Sequence, residues 1–161
     1  MTRAMSLPAM LLAAALVAPI TAQAAPAGPF ANLAGAWSGG GTLTMANGET
    51  ERLRCRATYN VGNGGSDLRL SLKCASQSYN FDLGSAVIAQ GGRISGTWSE
   101  SSRNAGGTIS GRATADHVEA AASGQSFSAN LSLTTKGNRQ TVSIRSPGTD
   151  IAGVSLALNR D

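Results

Sequence analysis

The stretch LAGAWSGGG at residues 33–41 organises the chain, because every later strand-like segment reads as part of one sheet closing back onto it. Its Gly-x-Trp-Ser core returns at Gly96-Thr97-Trp98-Ser99, and Trp37 and Trp98 are the two tryptophans of the sequence. Because both tryptophans lie in the same short motif, we expect each half of one sheet to be anchored by a buried indole ring. The stretch thus indicates a fold, and it names no function.

The first 24 residues have the pattern of a signal peptide. Arg3 precedes an apolar run at residues 9–18, and Ala22-Gln23-Ala24 gives a small-residue end. That run is too short to span a membrane, and no later segment is long enough to do so. We expect a periplasmic or secreted protein with no membrane span, in which residues 1–24 are a signal peptide.

The remaining chain is predicted to form one domain. About 137 residues suffice for a single core, so we expect a flexible lead-in at residues 25–32 and a single β-barrel domain at residues 33–161. Without Arg3 the chain has 12 basic and 9 acidic residues, a net charge of +3. This mild excess lacks the dense clustering of a nucleic-acid binder, so we expect no nucleic acid partner.

Turn dipeptides and alternating apolar residues predict the architecture. Pairs such as Asn47-Gly48, Gly64-Gly65 and Gly91-Gly92 separate segments in which every second residue is apolar, the pattern of an antiparallel meander. We count eight to ten strands and no helical period. Because open sheet edges invite aggregation, we predict an all-β up-and-down barrel in which the last strand pairs with the first near Trp37.

The two cysteines are predicted to form a disulfide. If residues 53–61 and 68–74 make a hairpin centred on Gly64-Gly65, Cys55 lies directly opposite Cys74. Opposed Cα atoms are about 4.5 to 5.5 Å apart, within the reach of a disulfide. Free thiols or a redox pair are the alternative, but the closely spaced cysteines typical of redox motifs are missing. A second hairpin about Gly91-Gly92 places Trp98 opposite Ser85.

The motif Gly35-Ala36-Trp37 at the start of the first strand resembles the calycin superfamily, which includes lipocalins, avidin-like barrels and bacterial inhibitor barrels. The whole sequence also resembles small exported proteins of Gram-negative bacteria. The resemblance implies a closed antiparallel barrel, and it implies several uses, since one barrel serves many functions.

Catalytic and metal-binding patterns are weak. His117, the single histidine, lies in a predicted turn entering a strand, and no nucleophile-elbow motif supports a Ser-His-Asp site. One histidine and a predicted disulfide do not supply a metal site. The triplet Gly39-Gly40-Gly41 lacks the Lys and helix of a phosphate loop and is read as a bend or bulge. We therefore predict no enzyme activity, no metal and no cofactor.

Five cations are predicted to share one outer surface, which we call the cationic strip. They lie at alternate positions of two paired strands: Arg52, Arg54, Arg56, Arg69 and Lys73. One interpretation is a solvated barrel face. The other is contact with an anionic envelope component such as a lipid headgroup or acidic polysaccharide.

Small inward residues leave two possibilities for the barrel interior. Bulky side chains fill the space beside Gly96, Gly111 and Ala120, or a cavity remains there for a ligand. The leading hypothesis is a non-catalytic binding protein that holds a small apolar ligand. Its predicted ligand-binding residues are aromatic: Trp37, Phe81, Trp98 and Phe127. The alternative is an interaction protein acting through its outer surface, on an anionic envelope component or, by analogy with inhibitor barrels, on a protease.

Overall fold

The computed structural model describes residues 24–125 and 127–161, so nearly all of the predicted signal peptide lies outside the described residues. Ten antiparallel strands form a closed barrel in which each strand pairs with its neighbours in sequence and the last pairs with the first. The strands are β1 (Gly35–Met45), β2 (Thr50–Gly62), β3 (Asp67–Ala75), β4 (Asn80–Gln90), β5 (Arg93–Glu100), β6 (Ala105–Ala113), β7 (His117–Gly124), β8 (Ser128–Lys136), β9 (Arg139–Arg145) and β10 (Ile151–Arg160). The predicted all-β meander is confirmed.

The β2–β3 hairpin has the predicted register. Cys55 pairs with Cys74 across it, and the two are joined by a disulfide with their Cα atoms 4.1 Å apart. Alternation fixed this register, because a slip of one residue would turn every apolar side chain outward. The bond is typical of proteins in oxidising, non-cytoplasmic environments.

Closure of the barrel follows the prediction as well. Trp37 pairs with Arg160 between β1 and β10, and Gly39 and Gly41 pair with Leu158 and Leu156. A Cβ on Gly39 or Gly41 would overlap a carbonyl oxygen of β10. The glycine triplet therefore lets β10 approach β1 closely, as strand glycines do where a sheet bends or two backbones come close.

One end of the barrel is closed by the segment before β1. Gly28 and Phe30 donate backbone hydrogen bonds to the carbonyls of Gly64 and Gly65, at 2.7 and 2.9 Å. Phe30 is completely buried and Leu33 nearly so. Of the predicted lead-in, residues 25–27 are exposed, whereas residues 28–32 are held against the barrel, because the apolar ring of Phe30 fills its end. We call this the plugged end.

A buried polar pair lies beside the plug. Tyr59 and Gln140 are buried there, and the Tyr59 hydroxyl donates to Gln140 Oε1 at 2.6 Å. Gln140 Nε2 donates in turn to Thr135 Oγ1 at 3.3 Å. Burial raises the pKa of Tyr59, although the bond to Gln140 acts in the opposite direction. A buried polar pair of this kind is stable because each partner has a bond.

The opposite end, which we call the far end, carries the turns that join β1 to β2, β3 to β4, β5 to β6, β7 to β8 and β9 to β10. Within residues 24–125 and 127–161, no helix is long and apolar enough to cross a membrane.

Candidate functional site at the far end of the barrel

The structure separates the four aromatic residues predicted to bind a ligand. Trp37 lies at the plugged end, completely buried. Its indole N–H donates to the Leu33 carbonyl at 2.8 Å, its ring meets Tyr59 edge-on at 6.5 Å, and the guanidinium of Arg160 lies 4.2 Å from its centroid. Protein groups surround this ring, so it packs the plug.

Trp98 and Phe127 lie together at the far end, with ring centroids 5.2 Å apart. Trp98 faces Ser85 and Gly107 on the neighbouring strands, and its indole N–H donates to the Ser123 carbonyl at 3.2 Å. A Cβ on Gly124 would lie 3.1 Å from the indole. Small neighbours therefore let the ring extend over β6 to β7, where the half-buried Phe127 meets it.

Phe81 stacks on a residue outside the predicted set, Tyr79, at 6.2 Å and nearly parallel. The Arg103 guanidinium lies 4.7 Å from the Phe81 centroid and 6.0 Å from that of Tyr79. Arg103 also donates to the Asn80 carbonyl at 3.2 Å, which joins the turn after β5 to the start of β4. We call Tyr79, Phe81, Trp98 and Phe127 the aromatic rim.

A buried carboxylate fixes the turn that carries Arg103. Glu100 is 6% exposed and accepts backbone N–H bonds from Asp82, Ser102 and Arg103 at 2.9, 3.2 and 2.8 Å. Burial alone would raise its pKa, but these donors favour the charged form and hold the pKa of Glu100 below its usual range. Glu100 is therefore an ionised acceptor that positions the rim.

A second carboxylate fixes the turn between β3 and β4. Glu51 accepts bonds from the Ser76 hydroxyl at 2.6 Å and from the Ser78 N–H at 3.0 Å. The bonds from Ser76 and Ser78 lower the pKa of Glu51. Both turns beside Tyr79 and Phe81 are thus tied to a strand by an ionised side chain.

The inner wall leading to the rim is apolar and incompletely covered. Several inward side chains of the barrel are half-buried and pack against the core: Val61, Leu70, Leu72, Ala89, Ile109, Ala120, Leu131, Ile144, Ile151 and Val154. Inward residues nearer the plug, such as Leu133 and Leu158, are buried. Leu43 and Leu53, near the far end, are buried as well.

The outer face also has concave regions. A groove of about 550 Å³ crosses β6 to β9, and its lining includes the outward side chains of Ser110, Arg112, Asn130 and Ser143. These grooves follow strands with small outward residues and belong to the barrel's exterior.

His117 lies at the start of β7 on the outer face. Its Nδ1 is 2.9 Å from Thr134 Oγ1 and its Nε2 is 3.3 Å from Glu119 Oε1. Both partners are its neighbours on the sheet, and the imidazole is partly exposed. In the described part of the chain, no group of three or more His, Cys, Asp or Glu residues is placed to hold a metal ion.

The structure brings the cationic strip together on the outer face of β2 and β3. Arg52, Arg54 and Arg56 are exposed at alternate positions of β2, Lys73 pairs with Arg56, and Arg69 pairs with Asn60. Lys73 forms an ion pair with Asp82 on β4 at 3.1 Å.

Two solved structures of other proteins have a similar fold. No family model matches the chain, and no curated protein matches it significantly. Rv2717c from M. tuberculosis matches with a TM-score of 0.67 at 12% identity, over 81% of this chain and 94% of that one. The S-type phycobiliprotein lyase CPES from Guillardia theta matches with a TM-score of 0.58 at 10% identity, over 82% and 90% of the two chains.

These likenesses show the fold alone, and they support the calycin-like barrel that the Gly35-Ala36-Trp37 resemblance implies. They also correct one prediction. The expectation that the protein is not an enzyme is wrong as it stands, because a barrel of similar fold is named as a lyase. One fold hosts many functions, so the absence of a sequence motif does not exclude catalysis.

Sequence reasoning missed Tyr79, Glu100 and Arg103 as site residues. Glu100 and Arg103 lie in a polar segment between two strands, and the sequence of this segment is typical of an exposed turn. Their roles arise from bonds to the start of β4, about 20 residues earlier in the chain. The contact between the Arg103 guanidinium and Phe81 arises because β4 pairs with β5. Local sequence patterns do not predict which side chains meet across that pairing.

Proposed function

We propose that the protein binds a small apolar ligand inside the barrel, in the part between the core and the far end. The observation that carries this proposal is a group of apolar inward side chains that remain half-buried. Phe30, Leu33 and Trp37 fill the plugged end, whereas inward side chains such as Ile109, Leu131 and Ile144 are only half-buried. Protein interiors are normally close-packed, so apolar walls left partly exposed favour an occupant.

The aromatic rim defines the entrance to this site. Trp98 with Phe127, and Phe81 with Tyr79, form two aromatic pairs at the far end. Aromatic side chains offer large contact areas with little conformational entropy to lose. A ligand entering at this end would pass between these rings and rest on the apolar wall.

Trp37, which the sequence-based hypothesis placed among the ligand-binding residues, is not a ligand residue in this proposal. Its ring is surrounded by Leu33, Tyr59 and Arg160, so the proposed ligand residues are the rim and the inner wall. Export to the periplasm or beyond is part of the proposal, and it rests on the leader-like residues 1–24 and on the disulfide.

A pair of adjacent alanines tests the proposal. Ala120 points inward opposite Gly111 and Leu131, whereas Ala121 is exposed on the outer face. The probe is N-phenyl-1-naphthylamine, a neutral apolar dye whose fluorescence rises in an apolar site. We expect Ala120→Phe to weaken dye binding at least tenfold, because the added ring occupies the interior, and Ala121→Phe to bind like wild type.

Circular dichroism and the melting temperature establish that both variants are folded. Absence of saturable dye binding to wild type would contradict the proposal. So would equal binding by the two folded variants, because the dye would then lie outside the barrel.

A further inference from the structure

The cationic strip is arranged in a way that stability does not explain. Arg52, Arg54 and Arg56 project from one face of β2, and successive side chains are about 7 Å apart because a strand rises about 3.4 Å per residue. Arg56 lies directly opposite Lys73. Like charges opposed across two strands are unfavourable, and the ion pair of Lys73 with Asp82 offsets this contact. The row of three arginines has no such partner among the described residues, so an external anion would relieve the repulsion within the row.

The nearby carboxylates are held by other groups. Asp82 pairs with Lys73 at 3.1 Å, Glu51 accepts bonds from Ser76 and Ser78, and the Asp161 carboxylate accepts a bond from the Ser38 hydroxyl. Within the described ranges, no carboxylate lies within 4.0 Å of the four arginines of the strip. Their guanidiniums therefore face solvent with their charge uncompensated by an ion pair.

The surface beside the strip is hydrophilic. On β1, the residues paired with Arg52, Arg54 and Arg56 are Thr42, Gly40 and Ser38. On β3, the residues paired with Thr58 and Arg54 are Ser71 and Ala75. Binding to a membrane surface draws on apolar side chains that enter the lipid, and this surface has small and hydroxyl-bearing neighbours instead. A linear hydrophilic polyanion suits it better.

We propose that the cationic strip binds an acidic polysaccharide. Carboxylates along the polymer pair with the guanidiniums of Arg52, Arg54 and Arg56, which form a row matching an extended chain. The hydroxyl of Thr42 lies beside this row and bonds to sugar hydroxyls. The strip is on the outer face, so this activity is separate from a ligand inside the barrel.

Affinity electrophoresis of the full chain through gels containing alginate, a polyuronate, tests the proposal, with neutral dextran as the control polymer. The variant Arg52→Gln/Arg54→Gln/Arg56→Gln removes three charges from the strip. The variant Arg93→Gln/Arg112→Gln/Arg139→Gln removes three charges from exposed positions on other strands. We expect the strip variant to bind alginate at least tenfold more weakly, and the control variant to stay within about twofold of wild type.

Salt provides a second readout. Alginate binding should weaken as salt rises from about 0.05 to 0.5 M, because the screening length falls from roughly 14 to about 4 Å. Equal losses in the two variants would overturn the proposal by showing an effect of net charge alone, as would unchanged binding by the strip variant. Binding to phosphatidylglycerol vesicles without binding to alginate would overturn it in favour of a membrane. Dye binding inside the barrel is expected to be unaffected by either triple change, so the two proposals fail separately.

Discussion

The guanidinium of Arg103 lies over the ring of Phe81, with Cζ 4.7 Å from the ring centroid, and this contact joins two turns that are separate in sequence. Arg103 belongs to the turn after β5, and Phe81 to the beginning of β4. The Tyr79–Phe81 pair of the aromatic rim is therefore held by an electrostatic contact as well as by packing.

Loss of the Arg103 charge should loosen this rim. We expect Arg103→Met to lower the free energy of unfolding by about 1 kcal/mol, because a partly exposed cation–π contact contributes about that much and the bond to the Asn80 carbonyl is lost. Urea denaturation gives the value. Arg112→Met, at an exposed position on β6, is the matched control, and an equal effect in both variants would contradict a specific role for Arg103.

The charge on Glu100 should make stability depend on pH. Its pKa is lowered in the folded state, so its contribution is present above the ordinary carboxyl pKa and is lost as pH falls through the folded-state pKa. We expect wild type to be more stable than Glu100→Gln at pH 7 and the difference to shrink towards pH 3. Urea titrations at both pH values measure it, and a difference that does not change with pH would show that the charge of Glu100 is unimportant.

The plug should be part of the folded domain. Phe30→Ala is expected to reduce the free energy of unfolding by about 3 to 5 kcal/mol, the usual cost of truncating a buried aromatic ring. Pro26→Ala, at an exposed position of the same segment, should change it little. If Phe30→Ala were as stable as Pro26→Ala, the segment would act as a lead-in with no structural role.

The disulfide should stabilise the barrel chiefly by restricting the unfolded chain. Cys55 and Cys74 are 19 residues apart, and closing a loop of that size contributes about 3 kcal/mol in the chain-entropy model. We expect Cys55→Ala/Cys74→Ala to lose about that amount in thermal or urea unfolding while keeping a β-type circular dichroism spectrum. Wild-type stability in the double variant would contradict this expectation.

Alternation and turn chemistry predicted the sheet well. The pairs Cys55–Cys74 and Trp98–Ser85 follow from hairpins centred on glycine turns, because a period of two leaves a single register with apolar residues inside. The plug was not predicted, since Gly28-Pro29-Phe30 has no strand period and is held through contacts with a loop more than 30 residues away.

The candidate site was predicted only in part. Trp37 and Trp98 share a local motif, yet one indole is enclosed by the plug and the other meets Phe127 at the far end. The Gly-x-Trp-Ser motif is the same in both cases, and the difference comes from which end of the barrel each tryptophan occupies. Tyr79, Glu100 and Arg103 entered the site through contacts across strands, which one sequence does not reveal.

Isoleucine methyl NMR with N-phenyl-1-naphthylamine tests the account of the interior most directly, because the isoleucines sample three environments. Ile109, Ile144 and Ile151 are half-buried inside, Ile94 is 4% exposed in the packed core, and Ile88 is 47% exposed outside. Saturable shifts of the Ile109, Ile144 and Ile151 methyls, with Ile88 and Ile94 unmoved, are the predicted result. Shifts confined to Ile88, or no shifts at saturating dye, would contradict a ligand site inside the barrel.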